Sequence, residues 1–67
     1  MTYSIGQELV FTSPNGKKEK VVILKRAVDY ENGVINEPNY RGNFDYFASV
    51  ERNGQIENIF CQHNELS

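Results

Sequence analysis

Apolar and polar residues alternate with a period of two along much of the chain, a pattern that predicts strands rather than helices. From Gly6 to Thr12, Leu9 and Phe11 share one parity, and Glu8, Val10 and Thr12 the other. From Phe44 to Glu51, the set Phe44, Tyr46, Ala48 and Val50 alternates with Asp45, Phe47, Ser49 and Glu51. Between them, Lys18 to Tyr30 reads as one long strand whose centre, Val21 to Leu24, is apolar on both faces. Such a strand is expected to bend through the core of a closed sheet. Beyond Gly54, Ile56, Asn58 and Phe60 fall on one parity and Ile59 and Cys61 on the other, which predicts a β-bulge or a twist at Asn58-Ile59. Leu66 is the expected last core contact.

Asn-Gly pairs punctuate the pattern at 15–16, 32–33 and 53–54. Asn and Gly tolerate the positive φ of a type I′ turn, so each pair predicts a reversal of the chain. Hairpins are expected at Asn15-Gly16 and Asn53-Gly54. The segment 31–45, rich in Asn and Gly, reads as an irregular loop insertion, with Val34-Ile35 as a short strand or a packed plug.

Composition agrees with the alternation. Val and Ile together supply eleven residues against three Leu and two Ala, and four Tyr and four Phe complete a β-favouring apolar set. The expected fold is all-β: residues 1–67 as one small, antiparallel, five-stranded barrel. The opening "IGQELVF" and the ending "YFASVERNGQIENIFCQHNEL" resemble those of SH3-like small barrels, including Tudor-like and KOW-like modules. The second strand lacks the Gly found in many such modules, so no residue roles carry over from the resemblance.

One cysteine excludes an intrachain disulfide. No basic leader precedes an apolar run, and the longest such run, Val21 to Leu24, is far too short to cross a membrane. The expectation is a cytoplasmic protein without a membrane partner.

Charge changes the picture more. Residues 1–26 carry five cations against two anions, whereas residues 27–67 carry two cations against seven anions. Lys17, Lys18, Lys20, Lys25 and Arg26 form a basic cluster that suggests nucleic-acid contact, although the sequence pI of about 5.2 speaks against a strong electrostatic binder. Tyr30, Glu31, Glu37, Tyr40 and Asp45 form an acidic and aromatic set in and beside the predicted loop.

Chemistry is sparse. Cys61 and His63, two apart, would share a strand face, but a zinc site needs more ligands than one Cys and one His supply. The expectation is no enzyme, no metal and no cofactor. Three readings stand. One is a protein-interaction module binding through Tyr30, Glu31, Glu37, Tyr40 and Asp45. The second is a nucleic-acid-associated barrel using the basic strand. The third is an acidic inhibitor of a nucleic-acid enzyme. Open sheet edges also invite homodimerisation.

Overall fold

The computed structural model describes residues 2–40 and 42–67. Four strands form one antiparallel sheet in sequence order: β1 (Glu8–Thr12), β2 (Lys18–Arg26), β3 (Tyr46–Arg52) and β4 (Gln55–Cys61). Three short 3₁₀ turns accompany them, at Ala27–Asp29, Glu31–Gly33 and His63–Glu65.

Alternation builds the core. Leu9 and Phe11 of β1, Val21 and Ile23 of β2, Tyr46, Ala48 and Val50 of β3, Cys61 of β4 and Leu66 form one buried cluster on the inner face. The bend expected in β2 is made by a bulge. Register with β3 slips between Ile23 and Lys25, which displaces Leu24 outward and turns the strand without a glycine.

The all-β class holds, but the five-stranded barrel does not. The sheet has four strands and is open. The described residues of the segment 31–45 contribute no strand, and Glu31–Gly33 is a 3₁₀ turn with Asn32 left-handed at φ 63°. Ile35 is instead a plug, 1% exposed, while Val34 beside it is 55% exposed. After β4, the 3₁₀ turn His63–Glu65 takes up the residues that a further strand would need. Only a single bridge, Phe11 with Leu66, then joins the C-terminal segment to β1.

The bulge expected at Asn58-Ile59 is also absent, since β3 and β4 pair in continuous register from Tyr46–Cys61 to Arg52–Gln55. Apolar residues occur on both faces of β4 for another reason. Ile59 packs on the inner core, while the Phe60 ring lies 5.2 Å from Phe47, 5.5 Å from Tyr40 and 5.7 Å from Phe44. The segment 31–45 thus returns over the outer face and covers one end of it.

Two of the three Asn-Gly pairs close hairpins, by different turns. Asn53 and Gly54 have φ of 54° and 78°, as a two-residue type I′ turn requires. Pro14 fixes its own φ in the negative range, so the first hairpin turns through a Gly16 N–H to Ser13 carbonyl bond, with Gly16 alone left-handed at φ 89°. The third pair, Asn32-Gly33, makes a 3₁₀ turn and no hairpin.

Candidate functional site

The acidic and aromatic set divides into residues that hold the fold and residues left outside it. The Tyr40 hydroxyl lies 3.0 Å from the Gly33 carbonyl and 2.8 Å from the Phe44 carbonyl, so it ties the two arms of the 31–45 segment together. Glu37 pairs with Lys25. Asp45 Oδ2 accepts the His63 N–H at 2.8 Å, while its carbonyl accepts the Ala27 N–H at 2.8 Å. Glu37, Tyr40 and Asp45 are therefore scaffold.

Tyr30 and Glu31 are placed differently. They lie where the two adjoining 3₁₀ turns meet, Tyr30 half-buried and Glu31 exposed. Arg26 anchors the first turn by a two-pronged pairing with Asp29, both contacts at 2.7 Å. That guanidinium holds the Asp29 carboxyl below its ordinary 3.8. Val28 is 67% exposed on the same turn, and Val34 follows the second. Two exposed valines thus flank Tyr30 and Glu31 on a segment braced at both ends.

The basic cluster also divides. Lys25 Nζ donates to the Asn36 carbonyl at 3.0 Å, pairs with Glu37 and lies 5.7 Å from the Phe47 ring centre. The Glu37 hydrogen bond raises its pKa. Arg26 is held by Asp29 and reaches the Tyr3 carbonyl at 3.3 Å. Neither cation is spare.

Lys17, Lys18 and Lys20 have no ion-pair partner among the described residues. They line an open depression of about 460 Å³ between the two hairpins, with Glu19, Glu51, Arg52 and Asn53. Arg52 grips Glu19 at 2.7 and 2.8 Å and meets Glu57 at 3.3 Å. The Arg52 hydrogen bond holds the Glu19 carboxyl below its ordinary 4.5. The depression is mixed in sign, and no aromatic ring lines it.

A cluster that the sequence pattern did not mark lies at the other end of the sheet. The buried Tyr46 hydroxyl accepts the Tyr3 N–H at 3.1 Å and lies 2.8 Å from His63 Nδ1. The Tyr3 ring stacks on the His63 imidazole at 4.7 Å. Only Gln62 and Glu65 gave a local signal: a side-chain acceptor three residues after a turn start, realised as a Gln62 N–H to Glu65 bond of 2.8 Å.

No family model matches the chain, and neither does any curated protein or solved structure. The resemblance to SH3-like modules rests on the quoted segments alone.

Cys61 and His63 do not share a strand face. The strand ends at Cys61, whose thiol points into the core, and His63 opens the following 3₁₀ turn. Burial pushes the thiol pKa up to about 12, which leaves it protonated and a poor nucleophile or metal ligand at neutral pH. Among the described residues no three His, Cys, Asp or Glu side chains converge on a common point. Among the described residues no helix is long and apolar enough to cross a membrane. What the surface offers is contact area: the paired turns on one side and the lysine depression on the other.

Proposed function

We infer that the chain is a non-catalytic protein-interaction module that meets its partner through the paired turns 27–33. The observation that carries this reading is the exposure of Val28 and Val34 beside Tyr30 and Glu31, on a backbone already fixed by the Arg26–Asp29 pairing. Apolar side chains held rigidly outside the core lose little conformational freedom on binding, which favours their use as contacts. The acidic Glu31 beside them favours a partner surface carrying a basic rim.

The test compares retention of a purified partner by the immobilised protein and by Val28→Asp and Glu31→Lys variants. Loss of retention with an unchanged melting temperature supports the reading. Retention unaffected by both substitutions removes it.

A second reading has its own observation, the gathering of Lys17, Lys18 and Lys20 around one depression. A nucleic-acid backbone tracked there would be released steeply by salt, and reversing Lys18 and Lys20 would flatten that salt dependence. Glu19 and Glu51 in the same lining weaken this reading. Of the three loop acids, the acidic-inhibitor reading retains Glu31, since Glu37 and Asp45 serve the fold.

A further inference from the structure

The two edges of the sheet are treated differently. On β1, the central residue of those that point away from β2 is covered: Val10 and Ser67 exchange both backbone hydrogen bonds at 2.9 Å. On β4 the corresponding groups have no partner among the described residues. The two-residue turn makes Arg52 and Gln55 the first hydrogen-bonded pair of the β3–β4 ladder. Alternation then turns the N–H and C=O groups of Ile56, Asn58 and Phe60 away from β3.

Edge strands are normally blunted by lysine, proline or a bulge. β4, "QIENIFC", contains no Lys, Pro or Gly, and its register is unbroken. It carries a single charge, Glu57, which Arg52 meets at 3.3 Å. Ile56 on this strand is 70% exposed, more than any other large apolar residue of the described chain. A regular, nearly neutral and apolar edge of this kind is a template for another strand.

We propose that β4 pairs antiparallel with β4 of a second copy of the chain, about a two-fold axis at Asn58. The sequence of the strand is complementary to itself in that register. Asn58 faces Asn58 of the second copy and exchanges both backbone bonds with it. Ile56 falls opposite Phe60 of the second copy, an aliphatic–aromatic pair of the type that stabilises neighbouring strands. Glu57 falls opposite Ile59, so no like charges face each other directly. The paired turns 27–33 take no part in this register, so the dimer and the proposed partner contact stand or fall separately.

The test is sedimentation equilibrium from micromolar to millimolar chain, with amide hydrogen exchange on the same samples. The expected result is a shift from the 7.7 kDa chain toward twice that mass, with protection at Ile56, Asn58 and Phe60 that rises with concentration. Two symmetry-related contacts are lost in Ile56→Lys, which is expected to raise the dimer dissociation constant about tenfold. Asn58→Pro is the second variant: it deletes an N–H that β3 does not use, so the monomer keeps its strand signal while the dimer is lost. A monomer at every concentration overturns the proposal. So does a dimer that survives both variants, or protection of β4 that only an added foreign peptide produces.

Discussion

Lys25 of β2 and Glu37 of the returning segment form an ion pair twelve residues apart in sequence, and the same ammonium lies 5.7 Å from the Phe47 ring centre. One contact thus withdraws a cation from the basic cluster and an acid from the acidic set. It also ties the 31–45 segment to the outer face of the sheet. Glu37→Gln is expected to speed amide exchange in residues 35–40 while leaving that of β1 and β3 unchanged.

Ile35 anchors the same segment by burial. Ile35→Ala is expected to cost about 2–5 kcal/mol, the range for emptying a buried aliphatic site. Urea unfolding followed by tyrosine fluorescence would measure it. Val34→Ala, one residue away and exposed, is expected to leave the midpoint unchanged.

Cys61 gives the alkaline limit of stability. Its pKa rises on folding from 9.0 to about 12, so the native state keeps a proton that the unfolded chain releases. Stability is therefore intact below about pH 9 and declines as the pH climbs toward 12. Cys61→Ala is expected to flatten that alkaline decline in thermal melts, whatever it does to packing at neutral pH. In the native protein at pH 8 the thiol should resist alkylation and become reactive only on unfolding.

At the acid end the sign reverses. Glu19 and Asp29 have folded pKa values below 4.5 and 3.8 because Arg52 and Arg26 stabilise their charged forms. The stability they contribute is present above those values and is lost as the pH falls through the lower folded ones. The double variant Glu19→Gln, Asp29→Asn is expected to lose stability at neutral pH and to show a shallower acid limb in the same melts.

Gly54 is left-handed at φ 78° in the β3–β4 turn. Gly54→Ala is expected to destabilise the protein by about 1–2 kcal/mol, the strain of a side chain in that region. A chemical denaturation midpoint measures it. Asn15→Ala probes the other hairpin by a different route: Asn15 is not left-handed, and the variant removes the bond that its Oδ1 accepts from the Lys17 N–H at 3.1 Å.

Elements defined by neighbours in sequence were legible beforehand. Leu9 and Phe11, or Tyr46, Ala48 and Val50, declare their face by alternation, and Asn53-Gly54 declares its turn by the only φ values that close it. Other positions are decided by returning segments and by turns that alternation does not encode. The parity of β4 reads as switching at Asn58-Ile59 because nothing local shows that Tyr40 and Phe44 cover Phe60 on the outer face. Lys25 reads as a free cation because Glu37 returns to it from twelve residues away, and Arg26 because the chain turns at Ala27–Asp29 where alternation expects strand. The candidate contact surface contracted for the same reason: Tyr40 and Asp45 look available until their carbonyl and amide partners are placed. Val28 falls inside an expected strand, and the 3₁₀ turn Ala27–Asp29 is what exposes it.

The covering of Phe47 and Phe60 by the 31–45 segment divides the molecule into two layers of unequal strength. β3 is the shared wall, with Tyr46, Ala48 and Val50 in the larger core and Phe47 in the smaller aromatic one. The larger layer is knitted by the whole backbone ladder, the smaller by side chains and a few carbonyl contacts. Melting is therefore expected in two tiers. The aromatic layer peels away first, seen as an early loss of near-ultraviolet ellipticity, while the strand signal persists to the main transition.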